Sequence, residues 1–122
     1  EIVLNDWEKE IWNIPNVKAN HVEKTDHPCQ YPIELVERCI LALTKKDDWI
    51  LDPFAGVGST ILASLKNKRK VIGIEKVLKY QEIGLKRINE FEKGELKFRP
   101  LGEPIYDHTK SKLSQIPSEF SK

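Results

Sequence analysis

Two short apolar runs, separated by a segment with helical periodicity, dominate the hydrophobic pattern of the chain. Residues 49–51 and 71–74 are apolar or nearly so throughout, which is typical of parallel strands buried on both faces. Between them, the spacing of apolar residues from Ile61 to Leu65 predicts a helix, with Ser59 as its cap. Because a strand–helix–strand unit of this length must cross over, the two strands are predicted to be parallel neighbours.

Apolar stripes predict a further helix on each side of this unit. Residues 33–43 carry a stripe that Cys39 widens, so we expect a helix with Pro32 as its first residue and Cys39 as a small core residue. A second helix is predicted from Val77, and Gly94 is placed to end it. The pattern therefore predicts an α/β fold with parallel strands, flanking helices and an incomplete sheet.

The remaining segments divide the chain into three parts. Residues 1–32 are predicted to form an extended N-terminal arm and connector, because their prolines interrupt regular structure. Residues 33–92 form the α-β-α-β-α unit. Residues 93–122 form a tail with a possible short strand at residues 95–99. Gly84, in the middle of a predicted helix, indicates close packing at that point because glycine otherwise weakens a helix.

The composition is that of one globular domain, with 122 residues, of which 32% are charged and 39% hydrophobic. No apolar stretch has the length of a membrane span, and a net charge of +1 does not by itself favour a nucleic-acid partner. The two cysteines are interpreted as reduced thiols of a cytoplasmic protein. A zinc site built from His21, His27, Cys29 and Cys39 is conceivable but disfavoured, because no pair of them has the usual ligand spacing.

A basic cluster at Lys66, Lys68, Arg69 and Lys70 is a candidate DNA contact. It joins the end of the predicted helix to the start of the second strand, and cations are favourable at a helix C-terminus in their own right. The cluster also lies at the edge of the sheet opposite the carboxyl ends of the strands. We therefore interpret it as a solvated turn.

The candidate chemistry lies where the two strands end. Asp52 follows the first strand and Glu75 the second, at the edge where open parallel sheets bind ligands. Gly56 and Gly58 allow a sharp turn and a close approach of a ligand to the backbone. Glu75 can accept two hydrogen bonds from the vicinal hydroxyls of a ribose. These features predict a site for a cofactor that carries a nucleoside.

Two common classes of nucleotide cofactor are disfavoured by the residues of the loop. A dinucleotide fingerprint requires a small residue at position 61, where the chain has Ile61, and no phosphate-binding Gly-Lys-Ser/Thr sequence is present. Asp52 would also repel a pyrophosphate. A carboxylate at this position instead suits a cationic ligand, such as the amino group of a methionine moiety.

The segment Asp52-Pro-Phe-Ala-Gly-Val-Gly-Ser-Thr60 closely resembles the S-adenosylmethionine motif of DNA amino-methyltransferases. Upstream, His27-Pro-Cys-Gln-Tyr-Pro32 and Ile11-Trp-Asn-Ile-Pro15 resemble the segments that precede that motif in the circularly permuted, beta-type subgroup. The resemblance covers roughly residues 10 to 92. It implies a partial Rossmann-like class I methyltransferase fold and S-adenosylmethionine as the cofactor.

The resemblance also implies the residues that bind the cofactor. One group lies against the methionine end, namely His27, Pro28, Gln30 and Pro32. Lys76 or Val77 flanks the adenine ring, Glu75 holds the ribose, and Asp52 orients the methionine part. The rest of the predicted set forms the glycine loop and the start of the helix that follows: Pro53, Phe54, Ala55, Gly56, Gly58, Ser59 and Thr60.

The activity that the resemblance implies is methyl transfer to an exocyclic amine of duplex DNA, with adenine favoured over cytosine, in restriction-modification. The Pro-Pro-aromatic motif that holds the target amine in this family is absent from the sequence. We therefore expect a C-terminal, cofactor-binding part, whether fragment, split subunit or trimmed chain, with an N-terminal catalytic half or subunit as partner. A homodimer is possible, and no membrane partner is expected. The alternatives are an RNA or small-molecule methyltransferase, or a non-catalytic module for nucleoside binding or assembly.

Overall fold

The computed structural model describes residues 11–18 and 20–105, and five helices and strands follow one another in the described part of the chain. They are α1 (Ile33–Leu43), β1 (Trp49–Asp52), α2 (Ser59–Lys66), β2 (Lys70–Gly73) and α3 (Leu78–Glu92). The strands pair in parallel, with Trp49 opposite Lys70 and Asp52 opposite Gly73. The predicted α/β order and the parallel pairing are confirmed.

Helix α1 has the predicted bounds, but its first turn is arranged differently from the prediction. Pro32 has an extended backbone and is the N-cap, so the prediction that it is the first helical residue is wrong. The capping acceptor comes from ten residues upstream, where the buried Glu23 carboxylate accepts a hydrogen bond from the Ile33 N–H at 2.9 Å. A carboxylate at this position also favours the positive end of the helix dipole.

The prediction that Ser59 caps α2 is also wrong. Gly58 is the N-cap, with φ +81°, and Ser59 is the first helical residue. The Ser59 hydroxyl donates instead to the carbonyl of Tyr31 at 3.0 Å, which ties the helix start to the connector. A left-handed N-cap favours glycine and leaves no side chain to accept from the first turn.

The core lies on one face of the two-stranded sheet. Ile33 and Ile40 of α1 pack with Leu62 and Ala63 of α2, and Ile50 of β1 packs against this cluster. Cys39 is exposed, so the prediction that it is a core residue is wrong. The helix turns Cys39 to solvent because its buried face is centred on Ile33 and Ile40.

The opposite face of the sheet is uncovered in the described part of the chain. Its apolar side chains are exposed by 66% at Trp49, 64% at Leu51, 50% at Ile72 and 54% at Ile74. The prediction that both faces of the strands are buried is therefore wrong for the described residues. Alternation along a strand places Ile50 on the inner face and its two neighbours on the outer one.

The described segment after α3, residues 93–105, is a strap over α1. The prediction of a strand at residues 95–99 is wrong. Gly94 ends α3 with φ +72°, as predicted. The Arg99 N–H donates to Glu23 at 3.1 Å, and the Arg99 guanidinium pairs with the buried Glu34. Residues 95–99 pair with no strand in the described part of the chain, and the Arg99 N–H bonds to a side chain instead. Residues 1–10, 19 and 106–122 lie outside the described residues, and so do the predictions made for them.

Among the helices of residues 11–18 and 20–105, none has both the length and the apolar character needed to cross a membrane.

Candidate cofactor-binding site

The loop between β1 and α2 is held in a fixed shape by its own backbone. The Ala55 N–H donates to the Ile74 carbonyl at 2.8 Å, which fastens the loop to the end of β2. Gly56 and Gly58 have φ values of +53° and +81°. Both values lie in the left-handed region that favours glycine, so the loop requires the two glycines that the sequence analysis singles out.

Glu75 joins this loop to the start of α3. One oxygen of its carboxylate accepts from the Gly56 N–H at 2.9 Å, and the other accepts from the Val77 N–H at 2.8 Å. Each carboxylate oxygen can accept more than one hydrogen bond. Glu75 therefore keeps acceptor capacity for a ligand while it fixes the loop.

Asp52 faces the connector before α1. One carboxylate oxygen accepts from the Phe54 N–H at 2.9 Å, and the other accepts from the Tyr31 hydroxyl at 3.2 Å. The Tyr31 hydroxyl also lies 2.9 Å from the Thr60 hydroxyl. Burial raises the pKa of the Tyr31 hydroxyl above its ordinary value, and the charge of Asp52 raises it further, although the bond to Thr60 opposes this. Tyr31 is thus a protonated donor at neutral pH.

His27 lies directly against the glycine loop. Its Nε2 is 3.4 Å from the position that a Cβ on residue 56 would occupy. Its Nδ1 accepts from the Cys29 N–H at 3.2 Å, so the neutral ring carries its proton on Nε2. The ring packs edge-to-face on Tyr80 of α3, with 4.4 Å between centroids. A hydrogen-bond donor is therefore held beside Gly56.

A cavity of about 370 Å³ opens between the glycine loop, the end of β2 and α3. Of the predicted site residues, Ala55, Gly56, Gly58 and Glu75 line it. Gly73, at the end of β2, also lines it. A Cβ added at Gly73 would lie 2.6 Å from Ile61 Cδ1. The cavity walls are mostly apolar, with the Glu75 carboxylate among the few polar groups.

The other predicted residues occupy three different places. Pro28, Gln30 and Pro32 line a separate groove of about 600 Å³. The Gln30 amide bonds to the Glu23 carbonyl at 2.6 Å and to Thr25, so it braces the connector. Ser59 and Thr60 bond to Tyr31. The last four are exposed around the rim of the loop, namely Pro53, Phe54, Lys76 and Val77.

Tyr31, Gly73 and Gln81 are candidate residues that the sequence reasoning missed. Gln81 lines the cavity and donates to the Glu75 carbonyl. Tyr31 lies within the His27–Pro32 segment, and Gly73 begins the Gly-Ile-Glu sequence that ends at Glu75. Their positions inside motifs are the signal that could have found the first two, whereas Gln81 is one polar position among many on α3.

No group of three or more His, Cys, Asp or Glu side chains in residues 11–18 and 20–105 is arranged to hold a metal ion. The basic cluster lies at the starts of the strands, where Lys70 pairs with Trp49. Lys66 pairs with Glu37 at 2.8 Å, and Arg69 donates to the Thr44 carbonyl at 2.7 Å. These contacts favour a turn over a DNA contact. Lys68 and Lys70 are exposed as expected for a solvated turn, whereas Lys66 and Arg69 are half-buried.

A glycine loop and an acid at the carboxyl ends of two parallel strands are typical of α/β units that bind nucleoside cofactors. The family model N6_N4_Mtase, described as DNA methylase, matches residues 3–86. The chain belongs to this family.

Named relatives agree with this assignment. The chain is 42% identical over 83 residues to the Type II methyltransferase M2.MboI of Moraxella bovis. The matched segment covers 68% of this chain and 30% of that enzyme. It is 39% identical over 79 residues to the DNA adenine methyltransferase YhdJ of Escherichia coli (strain K12). That match covers 65% of this chain and 27% of YhdJ. The chain therefore spans less than a third of the length of these relatives.

Among solved structures, the chain matches the M1.HpyAVI–SAM complex with a TM-score of 0.51 and 42% identity. The match covers 52% of this chain and 33% of that one. This match supports the predicted Rossmann-like methyltransferase fold, of which the described residues contain two strands.

Proposed function

We propose that the chain is the S-adenosylmethionine-binding part of a DNA amino-methyltransferase. The observation that carries the proposal is the Glu75 carboxylate, which bonds to Gly56 of the loop and lines the cavity of about 370 Å³. Membership in the DNA methylase family supports it. The similar solved protein is named as a complex with the same cofactor.

Each part of the cofactor has a complementary group in the site. Glu75 accepts from the ribose hydroxyls, and Lys76 or Val77 flanks the adenine ring. Asp52 attracts the ammonium of the methionine moiety, and the Nε2–H of His27 donates to its carboxylate. Gly56 and Gly58 let the backbone approach the ligand closely. The remaining predicted residues shape the connector and the loop: Pro28, Gln30, Pro32, Pro53, Phe54, Ala55, Ser59 and Thr60.

The reaction is transfer of the methyl group from the sulfonium to an exocyclic amine of adenine or cytosine in duplex DNA. Because the sulfonium is already a good leaving group, the rate depends chiefly on how the methyl donor and the acceptor are positioned. The chain positions the donor. A partner segment or subunit carries the Pro-Pro-aromatic motif and holds the base, which must be flipped out of the duplex. The relative YhdJ, named as an adenine methyltransferase, favours adenine.

The setting we propose is restriction-modification in the cytoplasm. Relatives named Type II methyltransferases support that setting. We propose that the chain acts on DNA only together with the segment or subunit that holds the base.

Photo-crosslinking with methyl-labelled S-adenosylmethionine tests whether the chain binds this cofactor. We expect the label on peptides that contain residues 52–60 or 75–81, with protection by S-adenosylhomocysteine and none by NAD. Glu75→Ala should weaken binding by about 1–3 kcal/mol, because its partners lose their acceptor. Glu92→Ala, at the exposed end of α3, is the matched control and should label like the wild type. Labelling spread over the chain would contradict a cofactor site at these residues. Equal labelling of Glu75→Ala and Glu92→Ala would remove Glu75 from the site.

A further inference from the structure

We propose that Tyr31 is a positioning residue that fixes the orientation of the Asp52 carboxylate in the cofactor site. Tyr31 precedes α1, whereas Asp52 ends β1, and 21 residues separate them in the sequence. The proposal rests on the proposed function, because it assigns Tyr31 a role in the binding of S-adenosylmethionine through Asp52.

The direction of the hydrogen bonds follows from what each group can donate. An ionised Asp52 only accepts, so the Tyr31 O–H donates to it across the 3.2 Å contact. The phenol has one hydrogen, so the 2.9 Å contact with Thr60 is made by the Thr60 O–H, which donates to the Tyr31 oxygen. A directed chain therefore runs from Thr60 through Tyr31 to Asp52.

This chain leaves Asp52 with one donor on each oxygen. The Phe54 N–H holds one oxygen at 2.9 Å, and the Tyr31 hydroxyl holds the other. The terminal torsion of an aspartate is otherwise broad. With both oxygens held, the plane of the carboxylate is fixed, and its remaining lone pairs keep a constant direction.

Tyr31 is itself held at both ends by the first two residues of α2. Its carbonyl accepts from the Ser59 hydroxyl at 3.0 Å, and its phenol contacts Thr60. The connector and α2 thus present the phenol to Asp52 from a rigid base. Phenylalanine would keep the ring in place but would remove the hydroxyl that bonds to the second oxygen of the carboxylate.

A mutant cycle on the 122-residue chain tests the proposal, with S-adenosylmethionine affinity measured by calorimetry. Tyr31→Phe should weaken binding about tenfold, the equivalent of one hydrogen bond to a charged group. Asp52→Asn should weaken it further. The double variant should bind no more weakly than Asp52→Asn alone, because the effect of Tyr31 passes through Asp52. Losses that add would overturn the role of Tyr31.

Variants of Thr60, with Thr44 as a control, separate the positioning of Tyr31 from the stability of the fold. Thr60→Val removes the donor to Tyr31 and should weaken binding, whereas Thr60→Ser keeps the hydroxyl and should restore it. Thr44→Val removes a comparable hydroxyl at the far end of α1, where it bonds to Ile40, and should leave affinity unchanged. Equal affinity of Thr60→Val and wild type would contradict the proposal.

A measurement without cofactor tests the contact itself. With tyrosine labelled at Cζ with ¹³C, the Tyr31 pKa is read from the NMR shift, and Asp52→Asn should lower it by removing the neighbouring negative charge. A Tyr31 pKa that Asp52→Asn does not change would overturn the proposal. If the wild type failed to bind S-adenosylmethionine, the proposed function would fall. If wild type and Tyr31→Phe bound equally, only the role of Tyr31 would fall.

Discussion

Gly73 shows how closely single residues are fitted around the cavity. A Cβ at this position would lie 2.6 Å from Ile61 Cδ1 and 3.0 Å from Ala55 Cβ. Both distances are shorter than ordinary van der Waals contacts, so a side chain at residue 73 requires Ile61 or Ala55 to move. The glycine therefore lets β2 end against α2 and the glycine loop.

We predict that Gly73→Ala lowers the free energy of unfolding by about 1–3 kcal/mol, the usual cost of overpacking. The control is Gly84→Ala, where a Cβ would meet the Val57 backbone at 3.5 Å, an ordinary contact. That variant should be neutral or up to about 1 kcal/mol more stable, because alanine favours a helix. Urea unfolding measures the free energy of unfolding of both variants. Equal values for Gly73→Ala and Gly84→Ala would show that the clash at residue 73 relaxes freely.

At the scale of elements, the strap after α3 is fastened to α1 by buried charge. Glu34 is 1% exposed, and its carboxylate bonds to Arg38 at 2.9 Å, to Arg99 and to the Gly102 N–H at 3.2 Å. A buried carboxylate is costly unless it is paired. The Arg99 pair therefore holds the strap in place.

Arg99→Ala is expected to destabilise the chain by about 3 kcal/mol, at the low end for an unpaired buried charge because Arg38 remains. Lys86→Ala is the control. It removes an exposed pair in α3 with 3.8 Å between Lys86 and Glu90, so it should change stability by less than about 1 kcal/mol. Thermal melts that shift equally for both variants would show that the strap does not depend on Glu34.

The sequence predicts those elements that local periodicity specifies. The bounds of α1 and the parallel order of β1 and β2 follow from apolar spacing and crossover length. The cap of α1 does not, because it comes from Glu23, and neither does the contact of Tyr31 with Asp52. The Glu23 cap and the Tyr31–Asp52 contact each join residues that no local sequence pattern relates. Both contacts therefore form only when the connector folds over the loop. The prediction of a strand at residues 95–99 is wrong because contacts with Glu23 and Glu34, which no local pattern shows, hold this segment.

At the scale of the molecule, the main feature is the sheet face that none of residues 11–18 and 20–105 covers, which carries Trp49, Leu51, Ile72 and Ile74. Parallel sheets are normally covered on both faces, and the edges of short sheets invite pairing. The apolar runs that suggested burial on both faces thus indicate a surface that further structure covers in the proposed enzyme.

We predict that the chain expressed alone is a dimer, aggregation-prone or only marginally folded. Co-expression with the corresponding N-terminal part of a relative should give a soluble complex. Leu51→Ser with Ile72→Ser should reduce self-association and weaken the complex alike, because both depend on this face. A stable monomer in sedimentation that melts cooperatively and gains nothing from the added part would argue against this prediction.

Methyl transfer to duplex DNA is the most direct test of the account. The assay compares the purified chain with a chimera in which residues 11–92 replace the matching segment of the Moraxella bovis enzyme. We predict that the chain alone transfers no methyl groups and that the chimera does. The chimera should lose transfer when Asp52→Asn and Glu75→Ala are introduced. Transfer by the chain alone would contradict it, as would a folded chimera that binds S-adenosylmethionine no better than its double variant.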